Sequence, residues 1–459
     1  MKQRHLVFLI IFLSIVLQPQ IGFSQNSTNY SIALNGAAAT KNALPFWLTA
    51  NTFGTVPNTN FASVNTSFFG DITAKKNSFN FEYKASFTGF LSPSKKTMIN
   101  ELYGSLQFKK WNITLGNKND AIQWEGLSSS NGNIIKSTNT RALPGINIAT
   151  NGYIKLPFAK NWLTAKFNYA EYLLNDKRAV NNAHLHHKSL YFKSTLNSKL
   201  ALITGLDHYV EWGGTSDVLG KMPSSFKDYL RIITGSSGGS NAIEGEQINA
   251  LGNTVGAYLA QLNYKGLKTD WSFYYSHPFE DRSGREMMNY PDALYGVFIN
   301  FNQPEKFINQ LLVELTYTKN MSGSNSISGH DNYFNNTIYE SGWTYFGKTI
   351  GSPFFLTKAP EDGITKGIIL GYNRFISYHL GFKGFINNHL NYASHISYTS
   401  YAGWFYSPIS KHIFSSSLQF YLHNTPLPFD IQFTAALDAG NVTPNSVGGF
   451  ISIIKKGNF

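Results

Sequence analysis

Hydrophobic and polar residues alternate along much of this chain. From Phe79 to Phe87 (FNFEYKASF), Phe79, Phe81, Tyr83, Ala85 and Phe87 take every second place, and Asn80, Glu82, Lys84 and Ser86 fill the others. Strand side chains point alternately to two faces, so this spacing predicts a strand with one apolar and one polar side. The pattern returns at Leu163, Ala165, Phe167 and Tyr169, then at Tyr258, Ala260, Leu262 and Tyr264. Leu311, Val313, Leu315 and Tyr317 repeat it, and Phe414–Leu422 (FSSSLQFYL) and Ile451–Ile453 close the series. Helical spacing is sparse. The best helix candidate is Asp217–Thr234, with Phe226, Tyr229, Leu230 and Ile233 on one side, followed by the flexible composition of Gly235–Ser240 (GSSGGS).

Two architectures share an alternating pattern. A soluble sandwich buries the apolar face between sheets, whereas a transmembrane barrel turns it to lipid and turns the polar face to a lumen. Mid-strand Lys, Glu and Asn suit a wet lumen. Trp162, Tyr169, Trp271 and Tyr275 are placed as an interfacial aromatic girdle would require, and the chain ends on Phe459. The expected fold is therefore all-β, a transmembrane antiparallel β-barrel. The 435 residues that follow position 24 (459 − 24), at about 24 residues per strand and connection, give roughly 18 strands.

The first residues read as an export signal. Lys2 and Arg4 precede a twelve-residue stretch, Leu6–Leu17, that is apolar except for Ser14, and Gly22-Phe23-Ser24 supplies small residues for cleavage before Gln25. Twelve residues are too few to span a bilayer as a helix, and no run of 18 apolar residues follows. The expected organisation is a signal peptide over 1–24 and one outer-membrane barrel over 25–459, without a further domain boundary.

Composition fits this picture. Of the 459 residues, 15% are aromatic and 14% charged, the latter well below the roughly 25% of soluble domains. The chain has no cysteine, which excludes thiolate metal sites and cysteine nucleophiles. The formal charge of +12 falls to +10 without Lys2 and Arg4, and the basic residues are scattered. No nucleic-acid stripe results; a modest attraction to anionic glycans or lipid phosphates does.

The long connections carry the informative motifs. Ser328–Pro353 (SGHDNYFNNTIYESGWTYFGKTIGSP) holds six aromatic residues among amides and glycines. Phe46–Val56, Gln123–Pro144, Glu211–Tyr229 and Ser276–Val297 also stand out. The last contains Glu280, Asp281, Ser283, Gly284, Asn289, Tyr290, Pro291, Asp292, Leu294 and Gly296 in an EDxSGxxxxNYPDxLxG pattern. With DNYFNN…SGWTYxGxxIGxP, these segments resemble the capsule assembly Wzi family of Bacteroidetes-type outer membranes, over almost the whole exported chain. The resemblance implies an outer-membrane, lectin-like barrel that holds capsular polysaccharide at the cell surface and is neither a channel nor an enzyme. Better-known members carry an N-terminal helical segment at the periplasmic mouth. Here Asn26–Val56 is rich in Asn, Thr, Ala and Gly and shows no amphipathic helix, a departure from that pattern.

Sugars offer hydroxyls and flat C–H faces, which Trp or Tyr rings beside amides, carboxylates and Arg can match. Trp343, with Tyr345 and Asp331, is the leading candidate for polysaccharide contact, because an indole in a Gly- and Asn-rich loop is expected to have no core to fill. Asn332, Trp212, Trp124, Glu125, Asp281, Arg282, Arg285 and Asp292 complete the candidate set. The competing reading is that such aromatics staple loops or form the girdle. His184, His186 and His187 (HLHH) invite a metal, but no neighbouring carboxylate accompanies them in sequence, and a plain Asn-rich loop is expected. His208, His277, Asp281 and His330 come with no nucleophile motif. No catalytic residue, cofactor or metal is expected. The expected partners are capsular or surface polysaccharide, outer-membrane lipid and lipopolysaccharide, with a monomer as the working form. A diffusion porin is the alternative.

Overall fold

The computed structural model describes residues 23–74, 79–92, 95–159, 162–323, 330–357, 370–405 and 407–459. The expected export signal over 1–24 thus lies outside the described residues, apart from Phe23 and Ser24. Eighteen antiparallel strands form the wall. They are β1 (Phe23–Ala39), β2 (Phe61–Ala74), β3 (Phe79–Ser92), β4 (Lys95–Phe108), β5 (Trp111–Asn117) and β6 (Pro144–Thr150). Next come β7 (Leu163–Leu174), β8 (Ala183–Thr195), β9 (Leu200–Trp212), β10 (Asn253–Lys265), β11 (Asp270–Phe279) and β12 (Ala293–Asn300). The last six are β13 (Gln310–Tyr317), β14 (Phe375–Asn387), β15 (Leu390–Trp404), β16 (Ser407–Leu422), β17 (Asp430–Gly440) and β18 (Ser446–Asn458). Each pairs with its neighbours in sequence, and β18 returns to β1 with Leu34 opposite Ile453 and Ile32 opposite Lys455. Closure leaves the barrel wall without a free edge among the described residues, the condition for crossing lipid with strands. No described helix is long and apolar enough to cross a membrane.

The period-two pattern divides the wall as the sequence indicates. Leu190 on β8 lies opposite Leu206 on β9 and Phe167 on β7, and both leucines are exposed on the outside. The intervening Asn168, Ser189, Tyr191 and Asp207 face a polar lumen cavity. On β3, Phe81 lies against Gly104 outside, while Glu82 and Lys84 pair inside with Lys118 (2.8 Å) and Glu101 (2.5 Å). Val313 and Leu418 are exposed outside, and their neighbours Glu314 and Ser417 are buried within.

Connections differ by end. Residues 109–110, 196–199, 266–269 and 388–389 make short turns beside both termini, and 40–60, 118–143, 213–252 and 318–374 make long loops at the opposite end. In barrels of this kind the short turns are periplasmic and the long loops extracellular. Exposed Trp111 and Trp162 ring the short-turn end, and Phe459 stacks beside Tyr30 (5.3 Å) and Phe68 (6.3 Å) on the outer wall. Tyr169 differs from the girdle expectation, lying in mid-strand against Tyr229. The loops contain short helices: α1 (Phe46–Thr49), α2 (Phe226–Thr234), α3 (Glu244–Ile248) and α4 (Arg282–Arg285).

One loop expectation is corrected. His184, His186 and His187 lie on β8, with His187 pointing to the lumen and the other two to the outer wall. Carboxylates absent from their sequence neighbourhood are brought in by pairing: His186 Nδ1 meets Glu171 at 2.5 Å and His187 Nε2 meets Asp207 at 3.3 Å. No cluster fit to hold a metal occurs among the described residues. Asn26–Ala39 belongs to β1, and α1 is a single turn.

Candidate functional site

The main apolar core lies inside the outer mouth of the barrel, where loops meet. The loop over 118–143 dips into the lumen and is bonded to inward residues of several strands. Ser128 Oγ and the Ser129 N–H donate to Glu314 of β13 (2.5 and 2.8 Å), whose carboxylate also accepts from Tyr274 of β11 (2.5 Å). Asn133 donates to Asp207 of β9 (2.7 Å), and His379 of β14 contacts the Leu127 carbonyl through Nε2 (2.8 Å). A buried carboxylate demands such partners, so Glu314 both requires and positions this loop. Trp47 of α1 enters from another side, donates to Ser397 (3.1 Å) and packs against His379 and His395 (4.9 and 4.8 Å).

The described parts of the connection between β13 and β14, 318–323, 330–357 and 370–374, close the assembly. Trp343 is wholly buried; its indole N–H donates to the Ile135 carbonyl (2.7 Å), and its ring meets Tyr209 edge-on at 5.5 Å. Backbone bonds from Ser137 to Ile350 (2.9 Å) and from Ser352 to Ile134 (2.8 Å) join the two loops. Phe354 stacks on Phe46 at 5.4 Å. Beneath this lid lie two lumen cavities of about 530 and 470 Å³, lined largely by polar side chains.

The sequence candidates therefore separate. The premise that the Trp343 ring stands open to solvent is corrected: the barrel supplies the core that the loop sequence lacks. Tyr345 is buried with its hydroxyl on Asn175 (2.6 Å). The two diagnostic motifs form one latch. Asp331 accepts from Ser322 (2.5 Å) and Ser283 (3.1 Å), and Asp281 caps α4 through the Ser283 N–H (2.8 Å). Tyr333 joins Asn289 (2.8 Å) to Asp292 (2.7 Å), and Asp292 also accepts from the Asn320 and Met321 N–H groups (2.8 and 2.6 Å). Burial pushes the Asp292 carboxyl up to about 7 despite these bonds, with Asp331 adding to the rise. Burial likewise raises Asp331 and Glu280, the latter accepting from the Phe334 N–H (2.5 Å). Asn332 accepts from Asn335 and Asn373 (2.9 and 2.6 Å) in the same latch.

Other candidates lie elsewhere. Trp124 stacks on Tyr274 (4.4 Å) in the lumen and lies so near Gly132 that a Cβ there would be 2.2 Å from its indole nitrogen. Glu125 pairs with Lys383 (2.8 Å) below the lid. Trp212 faces the outer wall beneath Tyr229 (5.2 Å). Arg282 and Arg285 are exposed near the latch, Arg282 on Glu286 (2.6 Å).

Sequence reasoning missed one feature of the outer face. Thr344–Tyr345 and Lys348–Thr349 pair as a tiny hairpin whose two-residue turn is Phe346-Gly347, with φ of 50° and 75°. Such turns favour Asn or Gly at the first place, and a bulky residue at positive φ is strained. Phe346 nevertheless sits there, 43% exposed, with the Arg141 guanidinium 4.0 Å from its ring centre and its N–H on Asp176 (2.9 Å). The ring borders a groove of about 270 Å³ whose other walls include Gly54, Asn58, Thr59 and Lys348. The visible signal was a bulky residue before Gly347 where turn chemistry calls for a small or amide one.

Residues 39–377 match the model for capsule assembly protein Wzi. The chain belongs to the capsule assembly Wzi family. Among solved structures, the Wzi barrel of Escherichia coli aligns with a TM-score of 0.61 at 14% identity, covering 92% of this chain and 83% of that one. It is described as an outer-membrane protein involved in group 1 capsule assembly and a carbohydrate-binding β-barrel. OccK3 of Pseudomonas aeruginosa aligns with a TM-score of 0.52 at 8% identity, over 95% of this chain and 96% of that one. OprD from the same organism gives 0.52 at 7% identity, over 95% of each. Both likenesses show the fold alone. No curated protein matches the chain. Family and barrel together place this Wzi-family protein in the outer membrane.

Proposed function

We propose that this Wzi-family barrel binds capsular or surface polysaccharide on its extracellular face and helps assemble or retain it there, as a binding protein without catalysis. The observation that carries the reading is the filled mouth. A diffusion porin needs an open lumen, whereas here fully buried Ser129, Ile134, Ile135 and Trp343 occupy that space. What the packed loops offer outward is a surface, and membership of a capsule assembly family supports capsule as its partner.

The contact site that best suits a sugar is the groove beside Phe346, with Tyr345 in its wall and Asp176 behind. A half-exposed ring, a guanidinium and the Asn58 amide suit C–H faces and hydroxyls, and strain held at an exposed tip points to selection for something other than stability. Trp343 acts in this proposal by holding the hairpin, not by touching sugar. The test is Phe346→Asn. Asn tolerates the left-handed backbone, so hairpin stability should hold or rise by about 1 kcal/mol, while affinity for the host's capsular polysaccharide falls at least several-fold. Unchanged affinity would remove the groove from the proposal.

A further inference from the structure

The connection between β9 and β10 meets the lid at Gly213, Met222 and Ile243, but part of it leaves the mouth. It turns outward and lays α2 against the outside of the barrel wall. Register fixes the sides: Leu190 and Leu206 face lipid, so Lys188, His186 and His184 on β8, Glu171 on β7 and Trp212 on β9 face outward as well. A polar run at the top of a lipid-facing wall is costly without cover. The strap supplies that cover. The Tyr229 hydroxyl bonds that of Tyr169 (2.6 Å), its ring lies 6.0 Å from His186 and 5.2 Å from Trp212, and Lys188 Nζ donates to the Ile233 carbonyl. Ile232 packs with Val210, Trp212 and Leu251 beneath.

The rest of the helix surface is then divided in two. Asp228, Tyr229 and Ile232 take the wall side. At helical spacing, Phe226, Leu230 and Ile233 form an adjoining apolar stripe, and Lys227, Arg231 and Thr234 form the next. Phe226 is 76% exposed and Leu230 47%, and Ile248 of α3 is 78% exposed. We infer that α2 is an interfacial helix whose Phe226–Leu230 edge enters the acyl chains of the outer leaflet, with Lys227 on the headgroup side. The occupant follows from continuity: the edge adjoins the lipid-facing band marked by Leu173, Leu190 and Leu206, and nothing but lipid lies along that band in a single barrel.

The absence of cysteine makes a direct test simple. Single variants Phe226→Cys, Leu230→Cys, Leu206→Cys and Lys221→Cys are spin-labelled and reconstituted in phosphatidylcholine–phosphatidylglycerol vesicles, with heat-modifiability confirming the barrel. Collision with oxygen, which concentrates in hydrocarbon, is compared with collision with a water-soluble nickel chelate. Labels at 226 and 230 should resemble the wall reference at 206, with an oxygen-to-nickel ratio several-fold above that at 221. Ratios at 226 and 230 equal to that at 221 would overturn the inference. Dipolar broadening between labels at 226 would overturn it in favour of a second copy of the chain.

Discussion

Trp343→Ala tests how the mouth is held. The side chain is wholly buried and donates one hydrogen bond to the Ile135 carbonyl. Truncating a buried Trp costs about 3–5 kcal/mol, and the Ile135 carbonyl also loses its donor. The eighteen-strand wall does not depend on this contact, so the cost falls on docking of the loop over 318–374. At about 1.4 kcal/mol per factor of ten, the undocked population should rise by about two to four orders of magnitude. The assay is limited proteolysis of the folded protein in detergent, with fragments mapped by mass spectrometry and the barrel followed by heat-modifiability. Cleavage should accelerate between 330 and 357 while the heat-modifiable band persists. Equal resistance in variant and wild type would refute the argument that Trp343 staples the lid.

Three further outcomes are expected. Leu206→Arg, facing lipid in mid-strand, should cost about 2–4 kcal/mol in reversible unfolding from vesicles, and Gln261→Arg, facing the larger-than-water space of the 470 Å³ cavity, should cost little; equal damage would contradict the assignment of faces. Asp292 has a folded pKa of about 7, above its unfolded value near 4, so the folded latch takes up a proton across that window. Latch stability should therefore rise as pH falls from above 7 towards 4 and level off below, with Asp331 and Glu280 acting in the same direction, and Asp292→Asn should flatten the dependence of Asn320 and Met321 amide exchange. Planar bilayers should show poor conductance for the wild type, and large, stable open channels would favour the porin.

The wall was legible because lipid and lumen impose opposite chemistry on alternate residues, so Phe79–Phe87 or Leu311–Tyr317 display it locally. The strand number followed from length for the same reason. The loops were not legible in this way. Trp343 read as solvent-facing because its sequence neighbours are Gly, Ser and Thr, while the groups that bury it, Ile135 and Tyr209, come from remote segments across a space only the closed wall creates. The β8 histidines read as loop because α2, forty residues on, replaces lipid at their outer face and so releases the alternation rule. Phe346 escaped notice because its meaning lies in a positive φ rather than in composition. The latch, by contrast, was half visible: both motifs were singled out, but not that Ser283 and Tyr333 bind one to the other.

The most direct test of the central claim is equilibrium binding of the host's own capsular polysaccharide to the purified barrel, run beside an unrelated capsule of similar charge. Saturable binding of the host polymer, with at least tenfold weaker binding of the other, is the predicted result. Absence of saturable binding to the host polymer by a correctly folded, heat-modifiable barrel would contradict it.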